Sequence, residues 1–313
     1  MLLWAALGFS FATGVLALWV GTDEAWFVVW AHGAGGMAVI LLVWSKLGVI
    51  RRGLGRRWPN VGLSLIAAAA AVAMIGAGLA HSIGLGNLGP FTALGWHIAF
   101  ALALLPLVLV HLVTRPVRPR RGDLTRAAFL RAGALVVGAV AVKAVFEATL
   151  GAPRAATGSL RVSSPRPTVW LNDPTPQIDL ASYTLRAGGT GHTLASLGSL
   201  PQHEITCALD CTSGWYATGT WRGVVVSDLL GPLPPGTRSL QVRSQTGYAR
   251  RFDPAVAEAM LLATQLDGRP LPAGLGAPAR LVVPGRRGFW WVKWVTAIEP
   301  STEPAWWQVP FPV

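Results

Sequence analysis

Residues 207–230 read CALDCTSGWYATGTWRGVVVSDLL, and residues 276–295 read GAPARLVVPGRRGFWWVKWV. In the first stretch an alternating run ends at Cys211. A Ser-Gly-Trp step, a Trp-Arg-Gly turn and a short amphipathic segment closing on Asp228-Leu229-Leu230 follow. In the second, Arg280 opens an apolar run, Pro284-Gly285 interrupts it, and an aromatic cluster carries Lys293. Strand-like runs surround these blocks at residues 167–172, 204–210, 240–244, 280–283 and 291–298, with helical patterns at 225–230 and 254–262. The mixture predicts an α+β domain over residues 167–313, preceded by a linker at 151–166 rich in Ala, Gly, Ser, Pro and Arg.

The first half has a different composition. The 313-residue chain is 52% hydrophobic and only 13% charged, too apolar for a single soluble domain. Only Asp23, Glu24, Asp123 and Glu147 supply acid in residues 1–150. Apolar spans at 2–20, 26–50, 61–81, 91–114 and 132–150 each approach the roughly 20 residues that cross a bilayer as a helix. Residues 1–150 therefore read as an all-α bundle of five transmembrane helices. The net charge of +12 does not indicate nucleic acid, because the basic residues of this half fall mainly in two clusters between spans. Those clusters are Arg51, Arg52, Arg56 and Arg57, then Arg115, Arg118, Arg120, Arg121, Arg126 and Arg131. The positive-inside rule puts both in the cytoplasm, which places the N-terminus inside and the C-terminal domain outside a cell membrane crossed several times. A first span without a basic leader region reads as a membrane helix rather than a cleaved signal. Thr125 to Arg131 reads either as an ordinary cytoplasmic anchor or as a degenerate twin-arginine signal, Ala127 standing where a second arginine belongs.

The two quoted blocks resemble, in order and spacing, the molybdenum-binding core and the pterin-binding strand and turn of the sulfite oxidase family. The resemblance covers roughly residues 160–308. It implies a molybdopterin cofactor with Cys211 as catalytic residue and thiolate ligand to molybdenum, a soft donor suited to that metal. It further implies cofactor contacts from Thr246, Arg280, Trp291, Val292 and Lys293, with Arg280 pairing with the phosphate end. Trp215, Arg222, Tyr248 and Arg250 are candidates for the substrate pocket, and packing is an equal reading for each. Cys207 is out of register with the motif. At i, i+4 on a strand it stands roughly 13 Å from Cys211, too far for a disulfide.

Three departures from the family pattern stand out. Leu275 occupies a position where relatives carry His or Asn, no pterin-clasping segment is recognisable near the start of the domain, and the chain ends soon after the Val-Lys-Trp step. The last feature leaves no room for the immunoglobulin-like dimerisation domain of sulfite oxidases, and brings the chain nearer the bacterial catalytic subunits that reduce oxidised methionine. His192 and His203 read as surface residues.

Ionisable groups inside membrane spans are costly and functional by default, and His32, His81, His97 and His111 lie in or at the ends of the apolar spans. His32 and His97 share a depth, each six residues in from the outer end of its span, as the two axial ligands of a b-type haem iron must. His97 and His111 stand 14 residues apart, about 21 Å of helical rise, on one face. This spacing resembles that of di-haem b-type cytochromes and allows one haem or two. Lys46 stands where span two lacks a matching histidine. It reads as an unusual ligand, as a partner for a haem propionate or quinone, or as a lysine reaching toward headgroups. His81 is the alternative to His32 or His97.

The combined expectation is a membrane-anchored oxidoreductase that transfers an oxygen atom to or from a small sulfoxide or sulfite-like substrate. It would exchange electrons through haem with the quinone pool or another redox partner. Two competing classes are a membrane-tethered binding module without the cofactor and a cytochrome with a degenerate outer domain.

Overall fold

Backbone polar groups in hydrocarbon have no water to bond, so an apolar span must satisfy them internally. Each of the five spans does so as a helix: α1 (Leu2–Trp19), α2 (Trp26–Leu54), α3 (Val61–Ser82), α4 (Ala93–Thr114) and α5 (Arg126–Thr149). All five are long and apolar enough to cross a membrane by length and composition. This computed structural model describes residues 2–19, 26–54, 61–114, 125–167 and 174–309. Most of the arginines of both clusters lie outside these residues. The chain divides into two units, Met1–Leu160 and Arg161–Val313.

In the first unit α1 packs on α2, α3 on α4, and α2 on α5. Outward faces carry exposed apolar side chains such as Val72, Val113, Phe129 and Val145, as lipid contact requires. Two boundaries differ from expectation. Thr125 caps α5 by accepting a hydrogen bond from the Ala128 amide at 3.2 Å, so the helix starts at Arg126 instead of residue 132. Phe91 and Thr92 leave the fourth span to pair as a hairpin, β1 (Asn87–Leu88) with β2 (Phe91–Thr92), turning at Gly89 with φ +69°. β3 (Leu160–Arg161) follows, its first residue bridging back to Arg154.

The second unit is built on two sheets. Its elements are β4 (Thr184–Ala187), β5 (Thr190–Thr193), α6 (Leu194–Ser199), β6 (His203–Cys211), β7 (Trp215–Val225) and α7 (Val226–Leu230). After these come β8 (Ser239–Ser244), β9 (Ala249–Phe252), β10 (Leu261–Leu266), β11 (Arg269–Pro270), β12 (Arg280–Val282) and β13 (Val295–Ser301). In one sheet β7 pairs antiparallel with β6 and β10, and β10 also takes β11 and β12. The other runs β5-β4-β13-β8-β9, antiparallel except for β4 beside β13. Period-two alternation on β7 sends Trp215, Ala217 and Trp221 inward, where they join Leu240, Val242, Leu261, Leu262, Leu281 and Ile298 in the core.

Three local expectations are corrected. Trp221-Arg222-Gly223 is not a turn. It lies inside β7, because each of its residues has a registered partner on β6 and β10. The helical pattern at 254–262 stops at Ala259 as a 3-10 turn capped by Asp253, and Leu261 and Leu262 are drawn into β10 by pairing with β7 and β12. In the run 291–298 only Val295 onward is strand. A 3-10 turn at Gly288–Trp290 and a positive φ of 51° at Trp294 break the extended backbone before it. Residues 168–172 of the first expected strand lie outside the described residues.

Gly223 sits where β7 crosses β10 so closely that a Cβ would collide with the backbone carbonyl of Leu262. Backbone cannot yield as a flexible side chain can. Gly223→Ala is expected to destabilise the second unit by roughly 3 kcal/mol, read as a lowered unfolding midpoint in denaturant.

Candidate functional site

The tip of the β6–β7 hairpin builds the centre of the site. Cys211 pairs with Trp215 across the turn Thr212-Ser213-Gly214, and the Gly214 amide donates to the Cys211 carbonyl at 3.0 Å. Gly214 has φ +90°, a conformation open to glycine at little cost, which explains the Gly before Trp in the motif. The Cys211 Sγ lies 3.2 Å from the Ser213 Oγ. Trp215 is buried, with the Arg166 guanidinium 5.8 Å from its ring centroid.

The second block closes on this tip. Arg287 bridges Asp210, its buried guanidinium 3.2 Å from the Asp210 carboxylate. A Cβ on Gly288 would stand 3.2 Å from the Cys211 Cα and 3.0 Å from the Asp210 carbonyl, so glycine lets the loop rest against the cysteine. Ser213, Arg287 and Gly288 were not among the expected site residues. The signal available for the last two was an Arg-Arg-Gly step breaking an otherwise apolar block.

Arg280 and Lys293 flank Gly276, whose φ is +112° and whose Cβ, if present, would lie 3.2 Å from the Arg280 Cβ and 3.1 Å from the Lys293 Cβ. Arg280 is 4% exposed, and its guanidinium lies 5.6 Å from both the Trp221 and Trp291 ring centroids and donates from one amino group to the Leu275 carbonyl at 2.9 Å. Leu275 thus holds Arg280 by its backbone while its side chain joins the core. Burial pushes Arg280 down to about 10, and the charge of the nearby Cys211 sulfur opposes that shift. It remains a cation at neutral pH. Its Nε and the indole nitrogen of Trp221 are buried without a hydrogen-bond partner. Lys293 Nζ lies 3.9 Å from the Trp294 ring centroid.

Thr246 reaches the same region through the backbone, since the Gln245 amide donates to the Trp294 carbonyl at 2.8 Å and Thr246 is exposed at that turn. Trp291 and Val292 are buried, and the Val292 carbonyl is already taken by the Leu281 amide at 2.8 Å. Trp291 therefore contributes chiefly as a wall, stacked edge-on with Trp221 at 5.5 Å.

The substrate-pocket candidates separate. Trp215 is at the hairpin tip, but Arg222 lies seven residues along β7, roughly 23 Å by strand rise, and points out to solvent beside Glu204. It does not join the site. Arg250 is 3% exposed, with its guanidinium 5.0, 5.3 and 5.6 Å from the ring centroids of Tyr248, Phe289 and Trp290. It donates to the Tyr248 hydroxyl at 2.7 Å and the Val309 carbonyl at 2.6 Å, and Tyr248 in turn donates to the Phe289 carbonyl. Arg250 and Tyr248 brace the loop that carries Gly288. His203 pairs with Asp228 at 3.3 Å on the surface, whereas His192 is half-buried on β5 and not a surface residue.

In the first unit the rings of His32 on α2 and His97 on α4 face each other, centroids 5.7 Å apart at 78°. The Nδ1 of His32 is 2.8 Å from the Ser10 carbonyl, and the Nδ1 of His97 is 2.8 Å from the Met74 carbonyl. A carbonyl only accepts, so both Nδ1 atoms carry the proton and both Nε2 atoms keep a lone pair, the form in which imidazole binds a metal. Gly14 and Gly78 make room for the rings, since a Cβ on either would come within 2.9 Å of the neighbouring imidazole. The Nε2 of His81 is 2.9 Å from the Gly158 carbonyl, and its ring is not one of the facing pair. His111 lies against Trp4, ring centroids 5.9 Å apart. The Lys46 side chain lies outside the described residues.

Residues 172–307 match the family model "Oxidoreductase molybdopterin binding domain". A protein-methionine-sulfoxide reductase catalytic subunit (MsrP) of Xanthomonas axonopodis pv. citri is 29% identical over 41% of this chain and 49% of its own length. Rat mitochondrial sulfite oxidase is 28% identical over 43% of this chain and 32% of its own. A putative protein-methionine-sulfoxide reductase subunit (YedZ1) of Azospira oryzae is 30% identical over 41% of this chain and 52% of its own. The chain thus spans about half or less of the length of these curated relatives. The site fits the cofactor the family name implies: a buried Arg280 whose Nε lacks a partner and an unpaired indole N–H at Trp221 suit an anionic group, and the Cys211 thiol stands nearby.

The two cysteines should behave differently. Both are unbridged, but Cys207 sits mid-strand opposite Gly219, and burial pushes its thiol up to about 11, so it stays protonated at neutral pH. Cys211→Ser is expected to lower turnover more than about 100-fold, beyond what outer-shell changes give, and Cys207→Ser to keep most of it. Equal losses in the two purified variants would rule out Cys211 as a metal ligand.

Proposed function

We propose, from the premise that residues 172–307 are a molybdopterin-binding oxidoreductase domain of the sulfite oxidase type, that this chain is a membrane-anchored molybdenum enzyme of oxygen-atom transfer with its own haem conduit. The observations that support it most are the seating of Gly288 against Cys211 and of Arg280 and Lys293 against Gly276, from two blocks far apart in sequence, with the Cys211 sulfur near enough to Arg280 to act on its charge. Molybdenum would supply two-electron oxygen-atom exchange when bound. Cys211 would be its protein ligand, Arg280 would pair with the phosphate end of the cofactor, Lys293 would lie beside the pterin, and Thr246 at the neighbouring turn would hydrogen-bond the cofactor. Arg280 is held between two indoles and a carbonyl, so it presents a fixed positive charge with little reorganisation.

The names of the relatives direct the substrate reading to a sulfoxide, as in the methionine sulfoxide reductases, or to sulfite. Reduction of a sulfoxide consumes two electrons and two protons and releases the sulfide and water. Oxidation of a sulfite-like oxyanion takes oxygen from water and releases the same electrons and protons. Both half-reactions need a one-electron route to a quinone or comparable partner. His32 and His97, each with Nδ1 bonded to a backbone carbonyl and Nε2 bare, would hold a b-type haem iron in the first unit. His81 stands outside that facing pair.

Purified full-length protein should carry about one molybdenum per chain and turn over members of a panel of sulfoxides and oxyanions. Absence of the metal after maturation in a molybdopterin-producing host would defeat the proposal. His32→Ala or His97→Ala should abolish the low-spin haem absorbance and quinol-coupled turnover while turnover with a soluble artificial donor persists. Survival of the spectrum in both variants would exclude this pair.

Orientation follows from the arginine clusters. A reporter active only outside the cytoplasm should work when fused after Val313 and fail after Arg57, and the opposite pattern would put the molybdenum domain inside the cell.

A further inference from the structure

Within the first unit, α5 carries a lysine that an apolar span has no structural need for. Lys143 is 7% exposed, and its stem fills the space over Gly33, the residue after His32, where a Cβ would collide with it. Its amine pairs with Glu147 one turn on, and Glu147 is also held by Arg154, whose other amino group donates to the Ser82 hydroxyl at 3.2 Å. Glu147 is the only acidic residue among the described residues of this unit. The group therefore holds two cations against one anion beside an apolar bundle. An uncompensated positive charge there is unfavourable, and a further carboxylate would offset it.

We infer that Lys143, Glu147 and Arg154 form a carboxylate-binding and potential-setting site for the haem seated between His32 and His97, receiving the propionate edge of the porphyrin. This rests on the haem reading above. The surplus charge matches a propionate carboxylate, and the contact of Lys143 with Gly33 places its stem on the residue beside an axial histidine. It also gives the role considered for Lys46 to a residue on a different helix. Lys143 and Arg154 are positioning residues, since neither is placed to bond the iron. A cation near the iron destabilises the ferric form more than the ferrous form, so Lys143 raises the midpoint potential and Glu147 lowers it.

The test uses full-length protein purified with its haem. Redox titration should show a downward shift of the midpoint potential in Lys143→Gln, an upward shift in Glu147→Gln and a near wild-type value in Lys143→Arg. Resonance Raman spectra of Lys143→Gln should show a displaced propionate-bending mode with the axial-ligand signature unchanged. Potentials that do not move, or that move in the same direction in both neutralising variants, overturn the inference and leave the haem itself standing. A shifted potential with an unmoved propionate mode also overturns it, because the cluster would then be serving another anion. If Lys143→Gln does not accumulate, Arg154→Gln is read by the same two criteria. A wild-type chain without low-spin haem overturns both readings.

Discussion

The second unit depends on a hairpin that can close at Cys211. Gly214, at φ +90°, lets β6 turn into β7 in three residues, and β7 then pairs along its length with β6 and β10. That one turn sets the register in which Trp215 and Trp221 point inward and Arg222 points out. A slip by one residue would reverse every one of these faces. It would also carry Asp210 away from Arg287 and Cys211 away from Gly288, uncoupling the two halves of the site.

Tryptophan does two kinds of work around the site. Trp221 and Trp291 bury apolar surface and wall in the Arg280 guanidinium, so a charge that would be unfavourable in a plain aliphatic core is held by ring faces and a carbonyl. Phe289 and Trp290 do the same for Arg250, which secures the loop pressing on Cys211. Buried arginines with fixed orientation suit an anionic cofactor better than mobile surface lysines, because their ordering entropy is spent in folding rather than in binding.

The first unit solves its polar problem locally. Each of the two facing histidines spends one nitrogen on a backbone carbonyl, and the only described carboxylate of the unit is clamped by two cations. Glycines at 14, 33 and 78 supply the space these groups occupy, in keeping with the role of small residues where membrane helices approach closely.

Much of this was legible in the sequence. The five spans could be read from uninterrupted apolar length alone, and the α+β domain from two blocks whose Gly, Trp and Arg positions reflect local backbone demands. The shared depth of His32 and His97 followed from helical rise, and the structure faces their rings. Other features required tertiary contacts. The pattern of 254–262 looked helical until β7 and β12 drew Leu261 and Leu262 into a sheet. Arg222 looked like a pocket candidate because an arginine suits an oxyanion, yet alternation on β7 turns it away. The tautomers of His32 and His97, the commitment of His81 to Gly158 and the meeting of Lys143 with Gly33 join residues from about 20 to more than 100 positions apart. Periodicity registers only neighbours within a turn or a strand, so pairings at that separation are decided by how the elements pack.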